Sequence, residues 1–215
     1  QTTYQDVADI IPSLKNITQP NLNKLGKITY QGNFTGFIND FVAFGTIITN
    51  LGTISGDVNL KLPEKRPPVY SGKILTRGFR LGEFLNNGEL GSIVFNGKVK
   101  GSGFSLKNLD ANFDGNVHSI GYAGYNYQNI ILKGDFKKKL FHGQASINDP
   151  NLVVKTLNGT INFDEREPQF DFDAALEKAD FKKLNLTKDD FGLKGNFKLN
   201  FTGNNIDNFL GTAKI

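Results

Sequence analysis

The sequence predicts an all-β chain: a strongly curved, mostly antiparallel sheet around an apolar groove, with few short helices. Three observations lead there. Apolar and polar residues alternate along most of the 215 positions, the period of half-buried strands. A five-residue phrase (apolar, polar, Gly, polar, apolar) recurs nine times, with its glycines at Gly32, Gly56, Gly72, Gly97, Gly115, Gly134, Gly143, Gly159 and Gly195. Helical periodicity is confined to a few short stretches.

In chain order, residues 1–29 read as a leading segment and residues 30–215 as the curved sheet. Residues 4–14 (YQDVADIIPSL) suit a helical turn or two, stopped near Pro12, whose ring removes a donor and clashes with the preceding turn. Ile54, Gly56, Val58, Leu60 and Leu62 share one face against Ser55, Asp57, Asn59 and Lys61. Arg66-Pro67-Pro68 breaks the pattern, which resumes at Tyr70-Ser71-Gly72. Residues 79–85 suit a short helix or a loop. Ile93, Phe95, Gly97 and Val99 oppose Asn96, Lys98 and Lys100. Gly101-Ser102-Gly103 reads as a β-bulge, because Phe104 and Leu106 fall on the opposite parity. Ala111, Phe113, Gly115 and Val117 form the next inward set, and Leu157, Gly159, Ile161 and Phe163 another. Within residues 174–190 the first half suits a helix, as does Thr187-Lys188-Asp189-Asp190. Leu193 to Phe201 alternates cleanly. The glycine phrases are 9 to 36 residues apart, too irregular for a solenoid, so the chain reads as a meander of unequal hairpins. About 12 strands of typical length, at ~4.8 Å each, make a rod segment on the order of 60 Å long.

Side chains alternate faces along a strand, so each repeated Gly lies on the apolar face. There it marks a bend or a close backbone approach, and a row of them creases the sheet into a trough. The residues expected to line that groove are Phe34, Val58, Leu60, Ile74, Phe95, Val99, Phe113, Val117, Leu132, Phe136, Phe141, Ile161, Phe163, Leu193, Phe197, Leu199 and Phe201. The chain's 19 Phe either fill a core or line such a groove; repeated mid-strand notches favour the groove, since a closed sandwich wants bulk there.

Composition narrows the chemistry. With 0 Cys there is no disulfide and no thiolate metal site. A net charge of +4 falls short of a nucleic-acid signature, so no nucleic-acid partner is expected. No apolar run is long enough for a membrane-spanning helix, and no signal peptide is visible. The absence of Met marks the chain as a fragment or a processed product. Lys137-Lys138-Lys139 reads as a solvated turn. His118 and His142 stand at outward positions with no nucleophile beside them. No nucleophile-elbow, zinc-protease or phosphate-loop pattern occurs. Asp164-Glu165-Glu167 and Asp189-Asp190 adjoin turn-like sequence. The stretch 204–208 lacks calcium-loop spacing. Tyr122, Tyr125 and Tyr127 suit packing at a sheet edge. The expectation is therefore no enzyme, no metal and no cofactor.

Two longer stretches carry a family resemblance. Phe79-Arg80-Leu81-Gly82 through Leu90-Gly91-Ser92-Ile93-Val94-Phe95-Asn96-Gly97-Lys98-Val99-Lys100-Gly101-Ser102-Gly103-Phe104 resembles the TamB-like translocation and assembly module proteins of Bacteroidetes-type bacteria. So do Ala179-Asp180-Phe181, Leu184-Asn185-Leu186-Thr187-Lys188-Asp189-Asp190 and Phe201-Thr202-Gly203-Asn204-Asn205-Ile206-Asp207, and the earlier Phe34-Thr35-Gly36-Phe37 and Leu51-Gly52-Thr53. The likeness covers residues 30–215. Such proteins are similar to the AsmA and bridge-like lipid-transfer group. The resemblance implies an internal slice of an inner-membrane-anchored, periplasm-spanning rod, its sheet rolled into a taco-like rod around an apolar groove. It implies phospholipid acyl chains as cargo, and an Omp85-type outer-membrane barrel as a partner of regions outside this chain. It supplies no catalytic residue. Two other readings stay open: a structural or adhesive β-sandwich, and an assembly chaperone that accepts strands at an open sheet edge.

Overall fold

The computed structural model describes residues 2–17, 19–105, 107–163, 168–202 and 210–214. Alternation dictates the architecture. The long strands are β2 (Lys27–Phe37), β3 (Asp40–Thr49), β4 (Gly52–Lys61), β5 (Val69–Arg77), β7 (Leu90–Ser102), β8 (Asp110–Tyr122), β9 (Tyr125–Lys137), β10 (Leu140–Asp149), β11 (Leu152–Asn162), β12 (Gln169–Asp180) and β13 (Gly192–Thr202). Two-residue β1 (Thr2–Thr3) and five-residue β14 (Leu210–Lys214) flank them, and β6 (Phe79–Arg80) pairs with β7 off the main path. Every pairing is antiparallel and between chain neighbours along that path, so the protein is one open meander that does not close. It is a single sheet, not two packed ones, which sets the sandwich reading aside.

The consequence shows in the surface. A compact chain of this mass exposes about 9,800 Å². This one exposes 13,200 Å², as expected when one face of a sheet has no second layer.

Short helices gather at one end of the strands. Helix α1 (Tyr4–Ile10) starts in a capping box: the Thr3 hydroxyl accepts from the Asp6 N–H, and the Asp6 carboxylate accepts from the Thr3 N–H at 2.7 Å. Donation to it from the Thr3 N–H and from the Thr3 hydroxyl, each at 2.7 Å, holds the Asp6 carboxyl below its ordinary pKa. Pro12 opens a 3-10 turn (Pro12–Asn16), so the helix ends where the proline required. Helix α2 (Leu81–Leu85) follows β6 and stops at Asn86 in the left-handed conformation. Several of the most deeply buried side chains lie beside these loops. Leu51 in the β3–β4 turn and Leu184 in the β12–β13 loop are each 1% exposed, with Phe79 and Ala179 close behind. Loops thus build a small core along this rim, where they can reach over the sheet.

Two local expectations are corrected. Residues 174–180 continue strand β12, and residues 187–190 are irregular. The helix-like spacing of Leu176 and Ala179 comes from a register shift between them, which resets which residues face inward. At Gly101-Ser102-Gly103 there is no bulge: β7 pairs with β8 without interruption to Ser102↔Asp110. Gly103 then turns at φ +73°, and Phe104 leaves the strand to stack on Tyr70 at 5.2 Å. The opposite parity of Phe104 reflects the end of the strand. The bulges of β7 lie earlier, between Leu90 and Ile93 and between Val94 and Phe95.

Candidate functional site

The register gathers the apolar residues of β2 to β13 into parallel rows on one face. One row runs Phe34, Ala43, Val58, Gly72, Val99, Phe113, Gly134, Gly143, Gly159, Phe172 and Leu199, each directly opposite the next. Beside it runs Gly32, Gly45, Gly56, Ile74, Gly97, Gly115, Leu132, Ala145, Leu157, Ala174 and Phe197. On the other flank lie Phe41, Leu60, Tyr70, Ala111, Phe136, Phe141, Ile161, Phe170 and Phe201. Phe95 and Val117 pair one row further out, Leu193 pairs with Ala179, and Gly195 pairs with Leu176. Phe163 follows β11 and contacts Phe136 at 5.9 Å between ring centroids.

The glycines sit where neighbouring strands come closest. A Cβ built on Gly72 would lie 2.0 Å from the Asp57 carbonyl oxygen, so only hydrogen fits there. Elsewhere the space over a glycine is filled by a phenyl ring. Phe95 lies across the Gly97–Gly115 pair, where added Cβ atoms would meet its ring at 2.5 and 2.7 Å. Phe141 covers Gly134 and Gly143 in the same way, and Phe172 leans over Gly159. The notches are therefore occupied by rings set over bare backbone, a packing used to stabilise strand glycines. This explains why Val99, Val117, Phe136 and Phe197 are buried although no second layer covers the face, while Leu132, Phe113, Phe141 and Ile161 remain half-buried.

The opposite face is wet and charged. Asp57, Lys73, Lys98, Asp114, Lys133, Gln144, Asn158, Asp173 and Lys198 form one cross-strand row. A cleft of about 990 Å³ opens on this side between the long side chains, lined by Lys73, Lys98, Lys100, Lys133, Asp114 and His142 among others. His142 is exposed and 3.5 Å from Asp135, its cross-strand partner; His118 is exposed on the same side. Lys138 and Lys139 form the β9–β10 turn, and Lys137 pairs with Asp110 at 3.2 Å.

Tyr122, Tyr125 and Tyr127 belong to the loop-covered rim. The Asp149 carboxylate, 1% exposed, accepts from the Tyr125 hydroxyl at 2.6 Å, the Gln128 N–H at 3.0 Å and the Asn151 N–H at 2.8 Å. Tyr127 packs edge-on against Tyr125, and burial pushes its hydroxyl up to about 12. Burial, reinforced by nearby Asp110, does the same for Tyr70, to about 12. Asp190 pairs with Lys182 at 2.9 Å in an exposed loop. The stretches 164–167 and 204–208 lie outside the described residues. Among the described residues no group of three or more His, Asp or Glu is placed to hold a metal ion, and no helix is long and apolar enough to cross a membrane.

No protein-family model matches this chain, and no curated protein or solved structure matches it either.

Sequence reading passed over several parts of the apolar face. Gly45 belongs to the glycine row, but Phe44 beside it breaks the phrase that marks the others. Phe41, Phe170 and Phe172 occupy the same rows, and the alternation through Phe170, Phe172 and Ala174 was the signal that finds the last two. The Asp149 network has no local signature, since its partners come from two hairpins.

Proposed function

We propose that this chain is a segment of a bridge that conducts phospholipids along its apolar face, within a periplasm-spanning protein of the TamB-like, AsmA-related kind. The observation that supports the reading most is the continuity of the apolar rows across β2 to β13 on a face with no second layer. Eleven strands at ~4.8 Å carry that strip on the order of 50 Å. An acyl chain lying on it exchanges water for side chains, at about 0.8 kcal/mol per CH₂. The rows repeat Phe, Val, Leu and Gly with no charged residue among them, so no single position holds a chain much more tightly than the next. Headgroups would remain at the wet margins. In this reading the outer-membrane partner, an Omp85-type barrel, engages parts of the protein outside this chain.

The test is lipid content. Purified protein, extracted into organic solvent and examined by mass spectrometry, should carry phospholipid. Delipidated protein should take up a fluorescent phospholipid from vesicles. Protein that purifies without lipid and does not quench or bind the probe would refute the reading.

A further inference from the structure

The apolar face has two long margins, one at each end of the strands, and they differ in how their charges are held. At the loop-covered rim many cations are engaged within the protein. Lys24 donates to the Glu83 carbonyl and Lys178 to the Pro150 carbonyl, each at 2.6 Å. Arg80 pairs with Glu83 at 3.1 Å, Lys182 with Asp190 at 2.9 Å and Lys183 with Asp180 at 2.9 Å. The other margin consists of the connections β2–β3 (residues 38–39), β4–β5 (62–68), β7–β8 (103–109) and β9–β10 (138–139). The register Asp40↔Lys61, Val69↔Ser102 and Asp110↔Lys137 brings them to the same end of the strands.

These connections carry Lys65, Arg66, Lys107, Lys138 and Lys139 against one acidic residue, Glu64. Their excess of four positive charges equals the net charge of the whole chain, +4. Lys65, Arg66, Lys107 and Lys138 are exposed and make no ion pair among the described residues; the pairs at this margin, Lys61–Asp40 and Lys137–Asp110, lie on the strands. The next connection, with Asp164, Glu165 and Glu167, lies outside the described residues, and the basic margin is counted from β2 to β10. A line of unpaired like charges raises the local potential and draws anions to it.

A phospholipid with its acyl chains across the apolar rows leaves its headgroup at one end of the strands. Helices and loops cover one end, where Leu51, Phe79 and Leu184 are buried. At the other end β2–β3 and β9–β10 are joined by two-residue turns, and the margin is basic. We propose that the lipids this face carries are those with a net negative headgroup, whose phosphate is held at the basic margin by Lys65, Arg66, Lys107 and Lys138. The proposal rests on the conduit reading above and adds a selectivity to it. Lys and Arg hold phosphate by charge-assisted hydrogen bonds. A zwitterionic headgroup brings its own ammonium to the same place, and that repulsion offsets the phosphate contact. Successive connections at this margin are two strands apart, about 10 Å. A headgroup leaving Lys65 and Arg66 therefore meets Lys107 next and then Lys138, so the margin guides it along the sheet without a single tight site.

Delipidated protein is mixed with phosphatidylcholine vesicles that hold a small fraction of phosphatidylglycerol or phosphatidylcholine bearing the same labelled acyl chain. The protein is then separated from the vesicles and its bound label measured. A cation beside an anionic headgroup strengthens binding about fivefold, so phosphatidylglycerol should be taken up at least about fivefold better at low salt. The preference should shrink near ~0.5 M salt, where exposed charges are screened within a few ångströms. The variant Lys65→Gln, Arg66→Gln, Lys107→Gln, Lys138→Gln should lose the preference, while its uptake of phosphatidylcholine and its melting temperature stay unchanged. Lys73→Gln, Lys98→Gln, Lys133→Gln and Lys198→Gln together remove the same charge from the face opposite the apolar rows and should leave the preference intact. Equal uptake of the two lipids by the unmodified protein overturns the inference while the conduit reading stands. A preference that survives the margin variant, or that the opposite-face variant abolishes equally, overturns it too. No uptake of either lipid refutes the conduit reading and the inference with it.

Discussion

At Gly72, as at Gly159, the sheet has no room for a side chain, and replacing Gly72 by Ala tests whether close strand approach is what the glycines provide. The added Cβ would lie 2.0 Å from the Asp57 carbonyl oxygen and 2.8 Å from the Val58 Cα, both main-chain atoms of β4. Ordinary contact begins near 3.4 Å, so β4 must retreat by more than an ångström, enough to break ladder hydrogen bonds around Asp57. Overpacking of this kind costs up to about 3 kcal/mol. For a chain of this size that is a fall in melting temperature of roughly 6–12 °C. Two other glycines calibrate the effect. At Gly143 the nearest atom is the Phe141 Cζ, at 2.5 Å, the far end of a ring that can swing aside. Gly143→Ala should therefore cost about 1–2 kcal/mol, and less in a Phe141→Leu background. At Gly88 nothing lies within 4 Å, and Ala there should change stability by under ~0.5 kcal/mol. Differential scanning calorimetry on the three variants decides the matter. If Gly72→Ala melts within a degree or two of Gly88→Ala, the close-approach reasoning is wrong.

Other outcomes follow from the same geometry. Val117 is 6% exposed, so Val117→Asp should unfold or destabilise the chain by ~3 kcal/mol or more, whereas the half-buried Leu132→Asp should fold and lose lipid; a Leu132→Asp protein with normal lipid content removes that position from the conduit. Asp149→Ala should cost about 2–4 kcal/mol in urea titration, because the Tyr125 hydroxyl and two backbone N–H groups lose a charged acceptor; a loss under 1 kcal/mol would mean water replaces the carboxylate. Tyr70 and Tyr127 have hydroxyls raised by burial from 10 to about 12, so their contribution to stability is complete below pH 10 and is lost as pH rises toward 12. The melting temperature should fall across that window, and by less in Tyr127→Phe; an equal fall in that variant would show that Tyr127 plays no part. Replacing His118 and His142 by Ala should leave lipid content unchanged, since both are exposed on the face away from the apolar rows.

Much of the fold was legible because a half-buried strand writes its own period into the sequence. Alternation alone separates Val58, Val99, Phe113 and Leu199 from Asp57, Lys98, Asp114 and Lys198, and no tertiary knowledge is needed to say that the two sets face opposite ways. It fails where the backbone departs from period two. The register shift near Leu176 imitates a helix, and the end of β7 at Ser102 imitates a bulge. What only the tertiary structure decides is how strands meet. Nothing local places Gly97 opposite Gly115 and Gly134 opposite Gly143, or lays Phe95 and Phe141 across those pairs, because cross-strand register depends on turn lengths and on contacts between residues far apart in the chain. The same holds for Asp149, whose partners come from β9 and the turn after β10. A residue's face is set by its own strand, whereas its neighbour is set by the whole sheet.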